Sequence, residues 1–229
     1  MKLKDLEALL QEVTPFAAPK IELEQYPTPP HLASRLLFAI QQSFEGLEGR
    51  SVLDLGCGTG MLSVGAAALG ASAVVGVDAD EEALAQCRET LQGLAEEGLE
   101  CASAVDLVHA RAETLADLFP ARSFDVVVSN PPFGTRCKGA DAMFVRQGLR
   151  LARRAVYSLH KSSTRDYLRK MALREPGCSG AEVLAQLRFD LPQTYAFHKS
   201  KTKDIEVDLW RFELDASSAA CDGGRDRSL

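Results

Sequence analysis

The sequence has no hydrophobic run long enough to span a bilayer, and no apolar stretch near its start that would read as a secretory leader. A membrane-spanning protein is therefore not expected; an intracellular one is. Patterned cysteines are also missing. The six cysteines, at positions 57, 87, 101, 137, 178 and 221, form no C-x-x-C pair, and no histidine stands at ligand spacing from them. That scatter fits free thiols in a reducing compartment better than a disulfide framework or a zinc site, so no metal ligand is assigned. Internal repeats are absent too. Cations are scarce in residues 1–134, with 8 Lys and Arg against 20 Asp and Glu. The balance reverses in residues 135–229, with 18 against 12, and the window 136–203 holds 15 against 5. A net charge of −6 thus conceals a cationic half. Arg165, Arg169, Lys170 and Arg174 are explained by a solvated helix face. The cluster His198, Lys199, Lys201 and Lys203 reads as a phosphate-contacting loop, with plain solubility as the alternative.

What the chain does contain is an alternation of strand and helix patterns. Its 229 residues, 46% of them hydrophobic, suffice for one packed domain. Residues 3–13 predict a short amphipathic helix, residues 14–30 a Pro-rich lead-in, and 31–44 a helix. Strands are expected near 52–55, 73–77, 105–109, 124–129 and 154–159, with helices between them and near 162–174. Two last strands, about 182–189 and 205–213, are joined without a helix and should pair antiparallel. The expected fold is α/β, a mostly parallel seven-stranded sheet with helices on both faces and an antiparallel C-terminal strand. The division expected is 1–30 as lead-in, 31–214 as the domain, and 215–229 as a disordered tail rich in Ser, Gly, Asp and Arg.

Three motifs carry chemistry. Asn130-Pro131-Pro132-Phe133 follows the apolar run 124–129. Two prolines cannot continue a strand, and they hold the residue before them extended. The result is a stiff turn presenting an amide and an aromatic ring, which suits a planar nitrogen substrate; an ordinary Asn-Pro turn is the alternative. Upstream, an apolar strand enters Asp54-Leu55-Gly56-Cys57-Gly58-Thr59-Gly60-Met61. This is not the dinucleotide fingerprint, because Met61 stands at the position after Gly60. Asp54 is placed either to fix this loop or to meet a ligand's amino group. Eighteen residues after Gly60, a second apolar strand ends in Asp78, placed to accept both hydroxyls of a ribose; the alternative is a helix cap.

Together these residues resemble class I S-adenosylmethionine-dependent methyltransferases of the N-methylating type, a resemblance that implies a Rossmann-like fold. A closer likeness, to the branch that methylates N6 of adenosine in small-subunit ribosomal RNA, spans residues 3–212. It rests on residues 24–30, 130–135, 155–164 and 190–211. The resemblance implies S-adenosylmethionine as cofactor, held by Gln25, Tyr26, Thr28, Asp54, Gly56, Gly58, Thr59, Gly60, Met61, Asp78, Arg111, Ala112 and Asn130. It implies Asn130, Pro131, Pro132 and Phe133 as the catalytic turn, with Phe133 stacking on the base. It also implies His160, Lys161, His198, Lys199, Lys201 and Lys203 as RNA contacts. Arg111 is a departure: relatives usually place an acid there for the adenine amine, so Glu113 or a backbone carbonyl must substitute. The branch further implies a heterodimer with a small zinc-binding activator protein, docked on the strand 73–77 and the helix 84–94, and residence in the nucleus, nucleolus and cytoplasm. Protein glutamine and DNA adenine remain alternative targets of the turn, and a non-catalytic cofactor-binding scaffold is the reading from another class.

Overall fold

The computed structural model describes residues 1–44, 46–134, 136–191 and 203–215. In its central strands, apolar residues occupy successive positions because both sheet faces are covered. Val52, Val126 and Val128 join one core cluster, while Leu53, Leu55 and Val127 join the other. The strands are β1 (Ser51–Leu55), β2 (Ala73–Asp78), β3 (Val105–His109), β4 (Phe124–Ser129), β5 (Ala152–Lys161), β6 (Cys178–Leu191) and β7 (Lys203–Leu214). They form one sheet in the order β3-β2-β1-β4-β5-β7-β6. The first five are mutually parallel, and β7 runs antiparallel to both β5 and β6.

One core cluster is supplied by helices α1 (Leu3–Gln11), α2 (Pro30–Ser43), α3 (Met61–Ala68) and α4 (Glu81–Glu96). The other is supplied by α5 (Leu115–Leu118), α6 (Ala140–Leu151) and α7 (Arg165–Ala172). Among the described residues no helix is long and apolar enough to cross a membrane. Along β7 apolar Val207 and Leu209 alternate with Asp208 and Trp210, and both faces are covered. Asp208 and Trp210 are fully buried, Trp210 stacking on Phe212 with ring centroids 5.2 Å apart. Asp208 is buried because Arg165 and Ser162 satisfy it, at 2.6 and 2.7 Å.

The strand expected to receive a partner, 73–77, is not an edge. It is hydrogen-bonded on both sides, to β1 and to β3. Two successive right-handed crossovers in one direction carry β3 outside β2, so the exposed edges are β3 and β6. Helix α4 does not present its leucines either, since Leu84, Leu91 and Leu94 are buried. The direction in which successive strands are added reverses between β1 and β4, which are adjacent and parallel although β2 and β3 intervene in sequence. Crevices at the C-terminal ends of strands at such a reversal are where open α/β sheets bind ligands. Gly56 follows β1 there and Asn130 follows β4.

Candidate active site

The loop after β1 is shaped by close approaches. Gly58 has φ +54°, and a Cβ on it would stand 2.6 Å from the Phe16 ring. Gly60 has φ +94°, and a Cβ there would run into Cys87 Sγ. Only glycine adopts such backbone without strain. The loop is then pinned to β2: Gly56 and Cys57 donate N–H groups to the Val77 carbonyl at 2.8 and 3.0 Å. Gly58 donates to Asp78 Oδ2 at 2.8 Å, and Asp80 N–H donates to Asp78 Oδ1 at 2.9 Å. Each Asp78 oxygen therefore keeps a lone pair for a hydroxyl ligand. Burial raises this carboxyl above its ordinary value, against the pull of those N–H donors.

The lead-in is fastened across the pocket by the expected Gln25, Thr28 and Asn130 together with Lys20, Glu24, Asp80 and Arg136, which the sequence did not single out. Asp80, not Asp78, caps α4 by accepting Glu82 N–H at 3.1 Å. It also accepts Lys20 Nζ at 2.6 Å and Gln25 Nε2 at 2.7 Å. Burial would raise the Asp80 carboxyl, but these partners outweigh it and hold it below its usual value. Glu24 Oε1 accepts the backbone N–H of Arg136 at 2.7 Å. Thr28 Oγ1 accepts Asn130 Nδ2 at 2.9 Å. That last bond orients the amide: Asn130 Oδ1 is buried and, among the described residues, has no hydrogen-bond partner. An acceptor oxygen in that state is aimed at a missing donor.

Gln25, Tyr26, Thr28, Gly56, Gly58, Thr59, Met61, Asp78, Arg111, Ala112, Asn130 and Pro132 come together on one pocket wall. Arg111 faces Glu113 across 3.6 Å, and both lie on that wall. Gly60 lies beneath the loop against Cys87. Asp54 does not reach the pocket. It is buried behind the loop, where its Oδ2 accepts Ser63 Oγ at 2.7 Å, so it fixes the turn rather than meeting a ligand. Burial, reinforced by nearby Asp78, lifts its carboxyl to about 7. Pro131 is buried behind the wall, and Phe133 is 5% exposed with its ring packed into the core. The Phe133 face is thus covered here, with Lys161 Nζ 5.9 Å from its centroid. His160 cannot serve as an RNA contact in this fold. It is fully buried edge-on to Phe212, and desolvation lowers its imidazole to about 3 although Asp208 pulls the other way. Its side chain falls on the covered face of β5, a consequence of β7 pairing there. Lys161, one residue on, is half-exposed. His198, Lys199 and Lys201 lie outside the described residues, and Lys203 is described only as the first residue of β7.

The chain matches the methyltransferase small domain family over residues 31–160. The Drosophila melanogaster rRNA N(6)-adenosine-methyltransferase Mettl5 is 46% identical over 217 residues, which cover 93% of this chain and 97% of its own. The Danio rerio rRNA N(6)-adenosine-methyltransferase METTL5 is 46% identical over 213 residues, with 93% and 99% covered. A solved structure from Pyrococcus horikoshii, described as a proposed RNA methyltransferase, is similar with a TM-score of 0.75. It is 33% identical and covers 93% of this chain and 98% of its own.

Proposed function

Because the chain belongs to the rRNA N(6)-adenosine-methyltransferase family of small-domain methyltransferases, we propose that it methylates N6 of an adenosine in ribosomal RNA, with S-adenosylmethionine as the donor. Bound in the pocket, that cofactor would supply an electrophilic methyl on a sulfonium and leave as the neutral thioether, the displaced N6 proton passing to solvent. The residues fit it: Asp78 has lone pairs for ribose hydroxyls, and it lines the same pocket as the glycine loop and Asn130. The observation that carries the reaction is the buried, unpartnered Oδ1 of Asn130.

The exocyclic amine of adenine is a poor nucleophile because its lone pair is delocalised into the ring. It needs acceptors for its hydrogens rather than a strong base. Asn130 Oδ1 fills that role, and Thr28 keeps the amide from rotating. Holding the two reactants in line then supplies most of the rate. The target base must be unpaired or flipped to reach this depth, and its stacking on Phe133 requires that ring's covered face to open. Asn130→Ala should reduce methyl transfer by at least about a hundredfold, the order expected when a positioned acceptor is removed, while cofactor affinity in calorimetry changes little. Near-normal transfer would sink the mechanism. Radiolabel in RNA, DNA and protein pools separates the targets, and label confined to protein would defeat the RNA reading.

Lys161 and the cationic stretch 198–203 are the proposed phosphate contacts. The zinc-binding activator remains part of the proposal, with its docking moved to the β3 edge. Val105 and Leu107 are half-buried there, beside a groove lined by Leu91 and Ala95 of α4. The chain alone should be less soluble and less active than the co-expressed pair, and equal behaviour would remove the partner. The nucleus, nucleolus and cytoplasm are its proposed locations.

A further inference from the structure

Glu24 takes no part in the chemistry above, yet its side chain is in an unusual state. Oε1 accepts the Arg136 N–H, but Oε2 is closed off from solvent and, among the described residues, has no hydrogen-bond partner. The residue is 6% exposed and still lines the pocket beside the Gly56–Gly58 loop. Its backbone has φ +51°, a region that favours Gly or Asn, so local conformation offers no reason for a glutamate. A buried carboxylate oxygen without a donor is costly, and its natural complement is a cation carrying N–H groups.

Its position narrows which cation. The partner of Oε1 lies on the segment following Asn130, so the carboxylate is tied to the chain that leaves the catalytic turn. Asp78 stands at the tip of β2, with β1 between that strand and β4. A ligand that puts its ribose at Asp78 and its reacting carbon at Asn130 lays its remaining chain toward Glu24. In S-adenosylmethionine that chain is the amino-acid part, which ends in an α-ammonium and an α-carboxylate. We propose that Glu24 Oε2 accepts a hydrogen bond from the α-ammonium of the cofactor, an inference that rests on the cofactor assignment above. One carboxylate then does two things: it grips the ligand and holds the segment after the catalytic turn through Arg136.

The test is calorimetry on wild type and Glu24→Gln with two neutral-sulfur probes. S-adenosylhomocysteine keeps the ammonium, whereas methylthioadenosine lacks the whole amino-acid part. The glutamine retains an acceptor for the Arg136 N–H, so the loop contact survives. Glu24→Gln should weaken S-adenosylhomocysteine by about tenfold or more, the loss usual for a charge-assisted hydrogen bond. Methylthioadenosine affinity should stay within about twofold, which also reports that the pocket is folded. An unchanged S-adenosylhomocysteine affinity, or an equal loss for both probes, would overturn the proposal while leaving the cofactor reading intact. Wild type that binds neither probe would overturn the cofactor reading, and this inference with it.

Discussion

Burial acts on two titratable side chains in opposite senses. Asp54 is lifted to about 7 because its charged form is desolvated, and His160 is lowered to about 3 for the same reason. An unfolded Asp releases its proton near 4 and an unfolded His near 6.5. Between about 4 and 7 the folded chain keeps a proton on Asp54 that the unfolded chain has lost, so stability falls as pH rises. Between about 6.5 and 3 the unfolded chain binds a proton that folded His160 refuses, so stability falls as pH drops. The windows overlap, and the two slopes offset each other in wild type. Asp54→Asn should therefore grow more stable as pH rises from 4 to 6.5, and His160→Phe less stable as pH rises from 4 to 7. Urea denaturation across that range decides the point; curves of the same slope for both variants would contradict it. Neither environment could be read from the sequence. Asp54 sits beside an obvious glycine loop, but its partner Ser63 is a helix residue with no motif of its own. His160 sits in a basic-looking stretch, and only the pairing of β5 with β7 reveals that it is covered. Glu24 and Asp80 were equally hidden, since Glu24 meets a residue 112 positions away.

Elements were more legible than their neighbours. Period and breakers gave β1 to β4 almost to the residue, because each is a short apolar run between turn residues. β6 was expected from 182 and begins at Cys178, since a register shift near Gly180 interrupts its alternation. The β3 edge was misassigned to 73–77 because adjacency is set by crossover direction, which no local pattern carries. The junction of the glycine loop with α3 shows what one such adjacency means energetically. Gly60 abuts Cys87 of α4, so Gly60→Ala meets both an adverse φ and a steric clash. It should cost roughly 2–4 kcal/mol, in the range of backbone strain combined with overpacking. Adding Cys87→Ala should relieve the clash but not the φ, giving a double-mutant cycle with favourable coupling of about 1 kcal/mol or more. Strictly additive losses would mean the two side chains do not meet.

At the scale of the whole molecule, charge is divided along the chain. The acidic first 134 residues build the cofactor side, and the cationic remainder builds β5, α7 and the C-terminal pair of strands. This division was legible from composition alone, because it needs no knowledge of contacts. It predicts that the two ligands respond differently to salt. Affinity for RNA should fall steeply and log-linearly between about 50 and 200 mM salt, as phosphate contacts release counterions. Affinity for S-adenosylhomocysteine should barely change, since its contacts are buried hydrogen bonds. Parallel titrations at several ionic strengths test this, and a flat RNA response would remove the electrostatic role of the second half.

The lead-in described above is tied to the Asp80 cap, the Arg136 backbone and the Asn130 amide at once. A cofactor lying beneath it would have to loosen these ties to leave, and turnover would then acquire a clock. Product exchange should be limited by release of this segment, with Lys20 on Asp80 as its outermost tie. Lys20→Met should speed both entry and exit of S-adenosylhomocysteine in stopped-flow fluorescence by a similar factor, leaving the dissociation constant almost untouched. Under saturating substrate such a variant would turn over faster than wild type, even though the residue never approaches the reacting atoms.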